Sequence, residues 1–179
     1  MKKCHSVILI AVFSMLLSGT LPAKPSFTLS SPAFTDGGAI PVIHTAAAGG
    51  KEISPPLQWS GAPEGTASFA LICEDIDAPL IGSITHWVLI DIPPEARELK
   101  EALPVAETLG DGSRQGKNFY RRPGYMGPNP PRGTHRYVFR IYALDCMLKP
   151  AKMPGKRDLL KAMEGHILGT AETVGTFTR

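Results

Sequence analysis

The chain has 179 residues, 43% of them hydrophobic and 20% charged, which is room for one domain with a sizeable core and ordinary for a globular protein. Its 18 glycines and 17 prolines punctuate the backbone too often for a helical bundle and suit short strands joined by long loops. The net charge of +3 includes Lys2 and Lys3 of an expected leader, so the rest of the chain is near neutral, which excludes a nucleic-acid footprint.

Residues 1–23 read as a signal peptide. Lys2 and Lys3 form its basic start, Val7 to Leu17 its apolar stretch, and Ser18 to Ala23 a small-residue end containing Pro22, with cleavage expected after Ala23. The apolar run is short for a bilayer span, and Cys4 stands too early for a lipoprotein signal. The expected product is residues 24–179, a single exported domain in the periplasm or secreted.

Beyond the leader, period-two alternation marks strands half-buried in a core. Residues 26–31, 40–46 and 57–60 are short candidates. Residues 67–75 place Phe69, Leu71 and Cys73 on one face, 86–92 place Val88, Ile90 and Ile92 on one face, and 137–145 do so with Tyr137, Phe139, Ile141 and Ala143. The region 93–134 reads as a long Gly-, Pro- and Arg-rich loop, with a possible helical turn at Arg97–Leu103. Lys156 to Leu168 carries Leu159, Leu160, Met163, Ile167 and Leu168 at helical spacing, with Gly169 as its stop. A last strand is expected at 172–178.

Polar residues gather at the ends of these strands. Asp75 continues the Phe69–Leu71–Cys73 face, and Asp77 follows on the same side if the chain stays extended. His86 opens the next strand on the face of Val88 and Ile90. His135 and Tyr137 share parity at the start of the strand holding Phe139 and Ile141. If the strands are antiparallel, these five side chains meet where the core opens to solvent. Imidazoles and a phenol donate hydrogen bonds to phosphate-like oxygens, and carboxylates orient the rings. Pro128-Asn129-Pro130-Pro131 supplies a stiff wall, and Gly127 and Gly133 allow close backbone approach or unusual dihedrals. Other readings stay open: Asp75-Ile76-Asp77-Ala78-Pro79 is a turn signature, and His86 and His135 read equally as histidines satisfied by nearby groups.

Asp75-Ile76-Asp77-Ala78-Pro79, His86-Trp87 and the run from Gly127 to Tyr137 occur together in an order and spacing that resemble the phosphatidylethanolamine-binding protein family. Its bacterial Raf-kinase-inhibitor-like branch is the nearer likeness. Further matches are Ser54-Pro55-Pro56-Leu57-Gln58-Trp59 and Tyr142-Ala143-Leu144-Asp145. The resemblance implies a mostly β fold, an antiparallel β-sandwich with one or two short helices and a pocket at one end. The implied ligand-binding residues are Asp75, Asp77, His86, Pro130, His135 and Tyr137. It also implies phosphate-like anions or phosphorylated lipid headgroups as ligands, no cofactor, and a homodimer. Ile76 stands where many eukaryotic members have Pro, and their long C-terminal helix has no counterpart here.

The leading expectation is therefore a non-catalytic binding protein, with a protein partner also in view. Two alternatives come from other classes. In one, Asp75, Asp77, His86 and His135 ligate a divalent metal for hydrolysis, although no HExxH or paired-cysteine signature supports it. In the other, the protein is a secreted inhibitor of a protease or kinase, acting through the basic 114–136 region. No catalytic residue is assigned. Cys73 and Cys146 fall at opposite ends of their strands, on the order of 20 Å apart, so no bridge between them is expected.

Overall fold

The computed structural model describes residues 26–78, 82–150 and 152–179. The expected leader lies outside them, as does Pro79 of the Asp-rich motif. The elements in chain order are β1 (Thr28–Ser30), a 3-10 turn at Val42–His44, β2 (Leu57–Ser60), β3 (Ser68–Asp75) and β4 (Ile84–Ile92). They continue with β5 (Glu98–Leu99), β6 (Arg114–Gln115), β7 (Thr134–Leu144), helix α1 (Lys156–Met163) and β8 (Ile167–Thr178).

Two antiparallel sheets face one another. One has the order β1-β2-β5, the other β6-β4-β3-β7-β8. Between them lie Leu29, Leu57, Trp59 and Leu99 of the small sheet and Phe69, Leu71, Trp87, Leu89, Phe139 and Ile141 of the large one. Trp59 meets Phe69 edge-on, with ring centroids 5.4 Å apart, a favoured aromatic geometry. On the other face of the large sheet α1 seals a second cluster, in which Leu159 and Met163 cover Ala70, Ile72, Val88 and Ile90. The stack is thus sheet, sheet, helix. Every residue of β3 is buried because both of its faces are covered.

The strands expected from alternation at 57–60, 67–75 and 137–145 form close to those bounds. Residues 40–46 do not form a strand. Pro41 precedes the Val42–His44 turn, and only the Ala39–Ile40 stretch pairs, against Thr176. The helix ends at Met163 rather than at 168, because Gly165 takes φ +80°, a left-handed conformation that stops a helix at small cost only in glycine. Ile167 and Leu168, assigned by spacing to the helix, open β8, which runs twelve residues to Thr178 along β7. The helical turn expected at Arg97–Leu103 is instead β5, and the long 93–134 loop contains both β5 and β6. Cys73 is buried, and both Cys73 and Cys146 are free thiols.

Candidate functional site

The site is built at one end of the large sheet, where β3 finishes, β4 begins and β7 begins. β3 and β7 are antiparallel in a register that sets Asp75 opposite Tyr137. Asp75 therefore ends the inner face begun by Phe69, Leu71 and Cys73, while His135 and Tyr137 begin the inner face continued by Phe139 and Ile141. This much follows from two-residue periodicity across a paired ladder.

His86 reaches the same place by a different route. Alternation groups it with Val88 and Ile90, but those two face α1. The β3–β4 register shifts between Cys73 and Glu74: Cys73 pairs with Trp87 and Glu74 with Thr85, which leaves His86 as an extra residue in β4. That β-bulge re-aims the side chain. The imidazole stands edge-on to the Tyr137 ring at 5.0 Å between centroids. A second shift between Phe69 and Leu71, with Asp91 at φ +56°, turns Ile92 to the inner core as well.

Both imidazoles are oriented through Nδ1. In His135, Nδ1 donates to Asp75 Oδ2 at 2.7 Å. In His86, Nδ1 donates to the Met126 carbonyl at 2.6 Å, since a carbonyl can only accept. Nε2 of each ring has no hydrogen-bond partner among the described residues. Burial lowers the His86 pKa against the opposing pull of the Met126 carbonyl and the Asp75 charge, so the ring is neutral at pH 7 with a lone pair on Nε2. The Tyr137 hydroxyl is buried without a partner among the described residues. Its pKa is pushed up by burial and by Asp75, so it keeps its proton and remains a donor.

Asp75, His86, Pro130, His135 and Tyr137 line a common cavity of about 310 Å³. Asp77, expected to join them, does not line it. Its carboxylate is held by Arg136 through Nε at 2.8 Å, Nη2 at 2.7 Å and the backbone N–H at 2.9 Å. Those bonds draw its pKa down to about 2. The chain does not stay extended past β3, because Asp75 Oδ1 accepts the Asp77 N–H at 2.9 Å, an Asx turn. Asp75 thus serves the turn with one oxygen and His135 with the other. A metal set of Asp75, Asp77, His86 and His135 would need the carboxylate that Arg136 occupies and the His86 Nδ1 to remain on its carbonyl.

Further wall residues come from loops in which no periodicity marks them. Glu52, at φ +55°, accepts the Gly127 N–H at 3.2 Å. Phe119 and Tyr120 stand at the mouth, 51% and 65% exposed. Gly127 passes so close to the 44–46 segment that a Cβ there would lie 2.7 Å from Ala46 N, which is the close approach expected of it. Gly133 takes φ +72°, the unusual dihedral expected there.

The fold coincides with that of a known family. Residues 30–178 match the model of the phosphatidylethanolamine-binding protein family, and the chain belongs to it. It is 49% identical over 151 residues to a UPF0098 protein of Methanothermobacter thermautotrophicus, covering 84% of this chain and 98% of that one. A putative phosphatidylethanolamine-binding protein homologue of Chlamydia trachomatis, CT736, superposes with a TM-score of 0.78 at 37% identity, over 86% of this chain and 98% of that one. YbcL of E. coli, described as a new member of the mammalian family, gives 0.79 at 29% identity, over 87% and 99%. Membership supports a binding role for the protein.

Proposed function

We propose that the cavity binds a small phosphate-like anion or the phosphorylated headgroup of a lipid, and that the protein does so without chemical turnover. The observation that carries this reading is the pair of imidazoles fixed through Nδ1, on Asp75 and on the Met126 carbonyl, with both Nε2 atoms and the Tyr137 hydroxyl left for a ligand. A hydrogenphosphate offers matching groups. One of its oxygens accepts from the Tyr137 hydroxyl, and its P–OH donates to the lone pair of a neutral His86. No Ser–His–Asp arrangement accompanies the two histidines among the described residues, and Asp75 is already committed to two hydrogen bonds, so the site orients and holds rather than attacks.

The exported, periplasmic or secreted location, a homodimer and a protein partner belong to the same proposal. The exposed, adjoining rings of Phe119 and Tyr120, 5.6 Å apart, favour a second molecule or a lipid chain reaching the mouth, because paired exposed aromatics at a rim are suited to contact.

NMR titration of the histidine side chains with inorganic phosphate and phosphoethanolamine tests the reading. Binding should shift the signals of His86 and His135 together and should be lost in His135→Ala. Histidine signals that do not move at millimolar ligand would refute it.

A further inference from the structure

At the opposite end of β7, roughly 30 Å from His135 by strand rise, three donor side chains converge. Asp145 and Cys146 follow β7, and His166 precedes β8. A carboxylate oxygen of Asp145, the Cys146 sulfur and a ring nitrogen of His166 all lie within 4.8 Å of one another. His166 lies 21 residues beyond Asp145 in sequence, in no metal-binding spacing, and the fold alone brings it to the adjacent Asp145 and Cys146. From this geometry we propose that Asp145, Cys146 and His166 form a binding site for a zinc-class divalent ion, separate from the cavity.

The backbone holds the donors in place before any ion arrives. The Asp145 N–H donates to the His166 carbonyl at 3.1 Å. The Ser68 hydroxyl donates to the Cys146 carbonyl at 2.5 Å. Leu144 pairs with Ile167 just inside the site. Only side-chain torsions need to change. A tetrahedral zinc with bonds of 2.0–2.3 Å keeps its ligand atoms roughly 3.3–3.6 Å apart. The His166 Nδ1 to Asp145 Oδ1 contact of 2.8 Å must open by about half an ångström, and the sulfur, within 4.8 Å of the other donors, must close by at most about 1.2 Å.

The donor chemistry selects the ion. Thiolate, imidazole and carboxylate together suit zinc or cobalt(II) rather than magnesium or calcium, which prefer oxygen. Thiolate and carboxylate neutralise the dication and the imidazole adds no charge. The Asp145 and His166 side chains are 45% and 46% exposed, so the ion has an entry path and its fourth position falls to water. Ligation takes Cys146 as its thiolate and moves the imidazole hydrogen now shared with Asp145 from Nδ1 to Nε2, so the thiol proton is released and affinity falls as pH is lowered. The ion ties the end of β7 to the turn between α1 and β8, and so stabilises the folded state by mass action.

The test is a zinc titration of the chelator-stripped protein against a chromophoric competitor, with cobalt(II) as a spectroscopic probe. The expected result is one equivalent of zinc, a sulfur-to-cobalt charge-transfer band and a raised unfolding temperature with zinc. Cys146→Ser should abolish the band, and Cys146→Ser and His166→Ala should each weaken zinc by more than about tenfold. Their metal-free unfolding temperatures, read alongside, separate lost ligation from lost folding. His135→Ala should bind zinc as the wild type does. The proposal fails if zinc affinity is unchanged by Cys146→Ser, if it follows His135 instead, or if the wild type takes up no zinc at micromolar concentration.

Discussion

Asp75 and His135, sixty residues apart, share a hydrogen bond of 2.7 Å between Oδ2 and Nδ1 with both side chains almost fully buried. The bond joins the end of β3 to the start of β7 and gives the cavity its fixed imidazole. Removing either partner leaves a buried polar group unsatisfied, which costs more than the bond contributes. A double-mutant cycle in denaturant unfolding with Asp75→Asn and His135→Gln should therefore show a coupling of about 1–3 kcal/mol. Additive effects of the two changes would mean that the pair does not form in solution.

Sulfate affinity should rise as pH falls. The folded-state pKa of His86 is lowered by burial, so the unliganded ring is neutral at pH 7. An anion against Nε2 favours the protonated ring, so binding takes up a proton. Each proton taken up steepens the dependence by up to about tenfold per pH unit. Sulfate is the probe because its own charge does not change between pH 7 and pH 5. The unliganded protein moves the other way: a lowered histidine pKa gives stability that is present above the ordinary value of 6.5 and lost as pH falls through the folded value. Calorimetric titrations at several pH values decide the point, and a flat profile would contradict a role for His86 in anion binding.

Much of this site is readable from the chain because strand parity survives folding wherever a ladder is regular. Asp75 falls on the face of Phe69, Leu71 and Cys73, and His135 and Tyr137 on that of Phe139, with no register shift in the β3–β7 pairing. His86 is the instructive failure. Its expected face, that of Val88 and Ile90, is the one under α1, and only the bulge opposite Cys73 and Glu74 brings it inward. A bulge depends on both strands, so one strand's alternation does not reveal it. Asp77 departs from its expected place for a related reason: the chain past Asp75 is not extended but folds into the turn that Asp75 itself caps. The two-residue strands β5 and β6 are too short to display a period, and Gly165 ended the helix from inside a stretch whose apolar spacing ran on to Leu168.

Asp77 should govern acid stability rather than binding. The side-chain hydrogen bonds of Arg136 bring its pKa from an ordinary 3.8 down to about 2. A carboxylate depressed on folding gives stability present above its unfolded value and lost as pH falls through the folded one. Asp77→Asn should leave sulfate affinity near wild type at pH 7. It should also remove the part of the stability loss that falls between about pH 4 and pH 2, read from unfolding temperatures across that range. A variant with an acid limb as steep as that of the wild type would show that the Arg136 pairing contributes nothing to folding.

The cavity wall at Gly127 gives the most local test of the site. The segment 44–46 and the run from Gly127 are tied by the Ala46 N–H donating to the Pro128 carbonyl at 3.0 Å. A Cβ on residue 127 would sit 2.7 Å from Ala46 N and 2.8 Å from the His44 carbonyl oxygen. Both are backbone atoms, which cannot swing aside as a side-chain end does, so the two segments must part. Gly127→Ala should cost about 1–3 kcal/mol, the usual penalty of overpacking. It should also weaken anion binding, because Ala46 and Gly127 both line the cavity. Gly110→Ala is the control: nothing lies within 4 Å of a Cβ there, so its effect should stay within about 0.5 kcal/mol. Denaturant midpoints for the two variants settle the comparison. Equal midpoints would mean that the 44–46 segment does not rest on Gly127 in solution and that the cavity is wider than its present walls make it.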